Sequence, residues 1–390
     1  MTTKQSHYLA KTVSELKPSG IRRFFDLAAN MEGVISLGVG EPDFVTSWAI
    51  REACILSLEQ GFTSYTANAG LIELRREISS YLNRSFSVDY NPDKEILVTV
   101  GASQALDLAL RAIIDPGDEI IIVEPTFVSY APIVTLAGGV PVPIHTNSQD
   151  EFKLKPVQLE EAITNKTKAI LICSPNNPTG SVLSKDELID ISKIVQKHNL
   201  LVISDEIYAE LAYDQAYTSF SSIEGMFEQT ILISGFSKGF AMTGWRLGFV
   251  CAPADLLQAM LKIHQYTMMC APTMAQHAAI EALQSGMQDV EEMKKSYRQR
   301  RNFFVNSLTE IGLTCYTPGG AFYAFPSIEK TGMTSEEFAE KLLLEEKVAV
   351  VPGNVFGESG EGFVRCSYAS SVEQLQEAVK RMGRFMEKRM

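Results

Sequence analysis

The 390-residue chain reads as an α/β protein, with a mostly parallel central sheet sandwiched by helices and a smaller α+β domain. Three observations predict this class. From Glu95 onward, short apolar runs alternate with segments of helical period. The runs are apolar at nearly every position, not at alternate ones, as strands covered on both faces require. Beyond about Gly286 the alternation gives way to a long charged helix and shorter, scattered apolar runs.

The elements follow in order. Glu95–Val100, Glu119–Glu124, Val140–His145, Lys168–Cys173, Leu200–Ser204 and Thr230–Ser234 are the apolar runs read as strands, with right-handed helical crossovers between parallel neighbours. Helical segments run over Ala102–Ile114, Val128–Gly138 and Pro156–Ile163. Asp115-Pro116-Gly117-Asp118 is a turn signal, and Ser184-Lys185-Asp186-Glu187 is a capping box that opens a helix ending near His198-Asn199. The smaller domain takes a helix from Asp289 to about Ile311 and the runs Gly312–Tyr316, Gly320–Phe325, Val348–Val351 and Gly362–Ala369. It adds helices over Thr334–Glu346 and from Ser371, and the N-terminal arm is expected beside it. The division is 45–288 for the large domain and 1–44 plus 289–390 for the small one.

Composition narrows the function. Apolar residues are 45% and charged residues 21%, which excludes a disordered or fibrous chain. The net charge of −12 repels phosphate backbones and anionic lipid, so neither a nucleic acid nor a membrane is an expected partner. The six cysteines have no paired spacing and read as reduced thiols. Met1–Ala10 contains no apolar targeting core, so a cytoplasmic location is expected.

Ligands of open parallel sheets bind beyond the carboxyl ends of the strands, and the strand ends of this chain are polar. Gly101-Ala102-Ser103 opens a helix after a strand, where free N–H groups attract an anion such as phosphate. A serine there is ordinarily just an N-cap. Arg246 offers a planar fork to the same anion, against the ordinary reading of an arginine in a surface salt bridge. Lys238, beside Ser237 and beyond a buried strand, is placed where desolvation makes a lysine nucleophilic. Asp205 ends another buried run and needs a cation. Two unit charges roughly 4 Å apart attract by about 4 kcal/mol at an effective dielectric of about 20, enough to keep a pyridine nitrogen protonated. Asn177 and Tyr208 can bond a ring oxygen. The set reads as a pyridoxal phosphate site with a lysine Schiff base; no metal is expected.

The motifs Ser36–Phe44 (SLGVGEPDF), Tyr65–Arg75 (YTANAGLIELR), NNPTG at 176–180, SDEIY at 204–208, SGFSKGFAMTGWRLG at 234–248, GGAFYAF at 319–325 and Arg365-Cys-Ser-Tyr-Ala stand in one order. In that order they resemble the class I/II aminotransferases of the fold-type I pyridoxal phosphate enzymes, from about Ile35 to the end. The resemblance implies Lys238, Asp205 and Tyr208 as catalytic residues, and Ala102, Ser103, Ser237 and Arg246 around the phosphate. It implies Phe127 on the ring face, Asn177 at the ring oxygen, and Gly40, Asn177 and Arg365 at the substrate carboxylate. Tyr65 is implied to reach the phosphate of a neighbouring subunit in a homodimer. Cis prolines are implied at Glu124-Pro125 and Asn177-Pro178. Gly235 stands where many members carry a serine, so one phosphate hydroxyl is missing.

The implied reaction is ping-pong transfer of an amino group from an L-amino acid to a 2-oxo acid such as 2-oxoglutarate, with a carbon–sulfur β-lyase as the alternative. The donor is left among aromatic, acidic and N-acetyl-diaminopimelate-like amino acids. Strict aspartate preference is not expected, because no lysine stands beside Ser103. Arg22 or Arg23 is a candidate for a second carboxylate. A pyridoxal-binding transcription regulator would need a DNA-binding module ahead of Ser36, where too few residues precede it. An NAD module would need a GxGxxG turn, which Gly38-Val39-Gly40-Glu41-Pro42 does not supply.

Overall fold

A computed structural model of the chain describes residues 8–16, 18, 20 and 31–389. Arg22 and Arg23 lie outside the described residues. The strands are β1 (Ile35–Ser36), β2 (Ile96–Thr99), β3 (Glu119–Glu124), β4 (Val140–His145), β5 (Thr167–Cys173), β6 (Leu201–Asp205), β7 (Thr230–Gly235), β8 (Gly248–Cys251), β9 (Tyr323–Ala324), β10 (Val348–Ala349), β11 (Val351–Pro352) and β12 (Val364–Ser367).

Seven of them form one sheet in the order β2-β8-β7-β6-β5-β3-β4. The neighbours from β7 through to β4 are parallel. Alternate residues feed two cores: Ile120, Ile122, Leu171 and Ile203 face the helices Gly101–Ile113 and Ala254–Thr267, whereas Ile121, Ile170 and Val202 face Lys185–Lys197. This two-sided burial is why the runs lack polar alternation. The prolines Pro141 and Pro143 lie on β4, the edge strand, where a missing N–H costs no ladder bond. Strand β8 was not anticipated. It is antiparallel to both β2 and β7, and its four residues between Gly248 and Ala252-Pro253 are too few to show a pattern.

Ser184 caps its helix through the expected box with Glu187, and Thr334 with Glu337 does the same for Ser335–Glu346. The charged helix spans Met287–Glu310. In the C-terminal part β11, β12 and β9 make an antiparallel sheet, and β1 pairs with β10 in parallel, Ile35 opposite Val348. The run Gly312–Tyr316 forms no strand. The six cysteines are all unpaired. No helix among the described residues is long and apolar enough to cross a membrane.

Candidate active site

A cavity of about 490 Å³ opens at the carboxyl ends of β5, β6 and β7, against the start of the Gly101–Ile113 helix, and is closed by residues near Gly40, Tyr323 and Arg365. Each predicted site residue lines it except Tyr65, which is 79% exposed and belongs to no wall of its own chain's cavity.

One end presents the groups that the sequence assigns to an anion. Gly101 has φ +76°, and a Cβ on it would lie 2.9 Å from Nη2 of Arg246, so glycine is needed both for the turn and for the approach of the guanidinium. The helix N-cap is Val100, so Ser103 is not the cap. Among the described residues its hydroxyl makes no hydrogen bond, and it is exposed to the cavity; the Ser237 hydroxyl is likewise uncommitted. The salt-bridge reading of Arg246 is corrected too. Among the described residues it pairs with no carboxylate, and its Nη1 donates to the Thr243 carbonyl at 3.1 Å. Its backbone lies in the left-handed region, φ +51°. The Gly235 substitution has a steric reason: a Cβ there would sit 2.9 Å from Gly248 Cα and 3.0 Å from the Leu247 carbonyl, so a serine does not fit between β7 and β8.

The middle of the cavity holds Asp205 and Lys238. Asp205 is buried, accepts from Tyr130 Oη at 2.6 Å and the Ile207 N–H at 3.2 Å, and among the described residues is in no ion pair. Burial raises its proton affinity, while those two bonds and the charge of Lys238 oppose the rise. Lys238 Nζ donates to the Gly40 carbonyl at 2.6 Å. Burial, with Arg365 and Arg246 adding repulsion, lowers its pKa to about 8, against the pull of Glu41 and Asp205. Tyr208 shares a 3.0 Å bond with Tyr323, and burial pushes its phenol well above the ordinary range.

At the far end Arg365 lies between the rings of Tyr323 and Phe356, 4.5 and 4.9 Å from their centroids. Its Nη1 donates to Asn177 Oδ1 at 2.8 Å and its Nη2 to the Gly38 carbonyl at 2.7 Å, leaving a buried Nε with no partner. A Cβ on Gly40 would come within 2.9 Å of Tyr323 Oη, which keeps this wall bare. Phe127 stands edge-on to Tyr130 at 5.6 Å. The peptides before Pro125 and Pro178 are cis, as is a third, before Pro175. Tyr130 and Tyr323 escaped the sequence reading. An aromatic residue inside an apolar segment reads as core, and nothing local marks a hydroxyl aimed at Asp205 or Tyr208.

A family model described as "Aminotransferase class I and II" matches residues 32–382, nearly the whole chain. The chain belongs to this family. The aminotransferase is 67% identical to a Bacillus subtilis (strain 168) protein named "Putative aminotransferase YugH", over 98% of this chain and 99% of that one. It is 49% identical to an aspartate aminotransferase of Pyrococcus abyssi, with 95% and 96% covered. It also superposes on the crystal structure of an aromatic aminotransferase from Pyrococcus horikoshii OT3, with TM-score 0.90, 46% identity and 95% and 99% coverage. The enzyme transfers an amino group between an amino acid and a 2-oxo acid and depends on pyridoxal phosphate. Membership favours transfer over carbon–sulfur elimination. The cavity fits the cofactor's chemistry: unclaimed hydroxyls and an unpaired arginine for a phosphate, a buried carboxylate without a cation for a ring nitrogen, and a buried amine between them.

Proposed function

We propose that this aminotransferase works through the following residues. Ala102, Ser103, Ser237 and Arg246 hold the phosphate, Phe127 covers one ring face, and Asn177 and Tyr208 donate to the ring oxygen. When bound, pyridoxal phosphate supplies an aldehyde that takes up the amino group and an electron-withdrawing ring that acidifies the carbon bearing it. Asp205 keeps the ring nitrogen protonated. Its burial without a cation supports this role, because a carboxylate in that position gains most from a cationic partner. Lys238 is the covalent anchor and moves the proton at the substrate α-carbon. An amine whose pKa is about 8 can both accept and return a proton near neutrality. Arg365, with Gly40 and Asn177 beside it, grips the α-carboxylate.

The observation that carries this reading is the meeting, in one cavity, of a desolvated amine, an unpaired buried carboxylate and an arginine with an unclaimed buried N–H. The deciding experiment is Lys238→Ala. We expect loss of borohydride-stable labelling of the chain by the cofactor and a fall in turnover of several orders of magnitude; full transamination by the variant would remove Lys238 from the mechanism.

The acceptor in this reading is a 2-oxo acid, and uncharged donors are used ahead of aspartate. Among the described residues the cavity walls hold no cation beyond Lys238, Arg246 and Arg365, and Glu41 stands at the rim, where it accepts from Thr243 Oγ1 at 2.7 Å. Specificity constants for alanine, phenylalanine and aspartate against 2-oxoglutarate test this; a clear lead for aspartate would overturn it. The same proposal includes a homodimer completed by Tyr65, the large and small domains at 45–288 and at 1–44 with 289–390, and the cytoplasm as location. The β1–β10 pairing supports the second and six unpaired thiols the third.

A further inference from the structure

The helix expected to bind phosphate lacks an ordinary cap. Its N-cap residue is Val100, whose side chain has no oxygen to offer, and no side chain accepts from the first turn. The fixation comes from behind. Gln104 Oε1 accepts from the Val100 N–H at 2.6 Å. Because that N–H is a donor, the amide of Gln104 can take only one orientation, and its Nε2 must find an acceptor elsewhere. It finds Nδ1 of His264, 3.1 Å away, in the last turn of the Ala254–Thr267 helix. Nδ1 therefore carries no proton, and the ring's hydrogen is on Nε2.

That Nε2 is the second observation. His264 is fully buried; its Nε2 meets no acceptor at good hydrogen-bond geometry among the described residues, with the Asn68 backbone the polar group near enough to act on the ring. A leucine would occupy the same space but could not accept from Gln104 Nε2, so packing alone does not account for an imidazole here. Burial lowers the proton affinity of the ring, against a backbone contact with Asn68 that raises it, and so favours the neutral state in which Nδ1 can accept. The carbonyl of His264 also receives the Met268 and Met269 N–H groups, which fixes the residue at its helix end.

We propose that His264 is a positioning residue for the cofactor phosphate: through its bare Nδ1 it orients Gln104, and Gln104 in turn holds the backbone of Val100 that aims the Gly101-Ala102-Ser103 turn at the anion. The inference rests on the assignment of that turn to the phosphate. His264 touches neither cofactor nor substrate in this scheme; it sets the direction of the free N–H groups of the helix start, on which anion affinity depends.

The test is titration of the full-length apoenzyme with pyridoxal phosphate and, separately, with pyridoxal, which lacks the anion. His264→Leu is expected to weaken pyridoxal phosphate about tenfold, the loss of one oriented contact, and to leave pyridoxal unchanged. His264→Asn, which returns an oxygen to the place of Nδ1, is expected to recover most of the affinity. Gln104→Leu removes the link from its other end and should reproduce the tenfold loss, so the proposal stays testable if His264→Leu does not fold. Equal loss for both ligands, an unaltered pyridoxal phosphate affinity in His264→Leu, or no recovery in His264→Asn would each overturn the role of His264. Ser103→Ala separates the underlying assignment. If it too leaves pyridoxal phosphate affinity intact, the phosphate reading of the turn fails; if it weakens binding while His264→Leu does not, only the present inference fails.

Discussion

Arg365 shows how a single side chain can be committed on most sides and still be available. Each of its two terminal nitrogens gives one N–H, to Asn177 and to Gly38, and keeps a second; its faces are covered by Tyr323 and Phe356, and its Nε is buried. A lysine places one point charge there and cannot serve both acceptors while reaching a carboxylate. Arg365→Lys is therefore expected to weaken amino-acid binding by about 1.5–3 kcal/mol, seen as a raised KM for the donor with the cofactor's absorbance unaltered. An unchanged KM would put the carboxylate elsewhere. Residues of this kind were legible in the sequence when they interrupted an apolar run: Asp205 and Lys238 stand out because a charge after four buried residues needs an explanation. Tyr130 and Tyr323 were not legible, since their rings satisfy the apolar pattern and only their hydroxyls face the site. Ser103 was half legible. Its position in the first turn could be read, but that Val100 would take the cap and leave the hydroxyl free could not.

At the scale of elements, the pairing of β7 with β8 decides what can stand at the proposed phosphate end. Gly235 lies opposite Gly248, and the second glycine is as tightly held as the first: a Cβ on Gly248 would be 2.6 Å from the Ala102 nitrogen. The two strands and the helix start thus approach backbone to backbone, which places Ser237 and Lys238 beside the Gly101 turn. Gly235→Ser adds the hydroxyl that the family resemblance leads one to expect but has to part these backbones. It is expected to cost about 1–3 kcal/mol of stability without strengthening cofactor binding, measured by thermal unfolding of the holoenzyme and by cofactor titration. A variant of unaltered Tm with tighter binding would show that the strands have room to separate. The parallel strands could be read from the sequence because two-sided burial makes them continuously apolar. Strand β8 could not, because its place between β2 and β7 is a long-range pairing that four residues do not announce.

On the scale of the whole molecule the unresolved relation is between the cavity and Tyr65. This residue lies on the segment between the Trp48–Glu59 and Ile72–Phe86 helices, outside the lining of its own chain's cavity, and it is among a set of exposed large side chains that includes Val45, Trp48, Tyr266, Met268 and Met269. So much apolar surface on a chain of net charge −12 is what a subunit contact would cover. In the dimer we propose, each cavity takes Lys238 from one chain and Tyr65 from the other. The two sites can then be complemented. A homodimer of Lys238→Ala chains has no anchored cofactor, and a homodimer of Tyr65→Phe chains lacks a phosphate contact at both sites, so its cofactor affinity falls by about 1–2 kcal/mol. A mixed dimer gathers both defects into one site and leaves the other with its own Lys238 and an intact Tyr65. Co-refolded or co-expressed chains with different tags, purified through both, are expected to bind one cofactor per dimer at wild-type affinity and to recover about half the wild-type turnover. If Tyr65 served the cavity of its own chain, the single site with a lysine in the mixed dimer would also carry the Tyr65→Phe defect, and its affinity would stay as weak as that of the Tyr65→Phe homodimer.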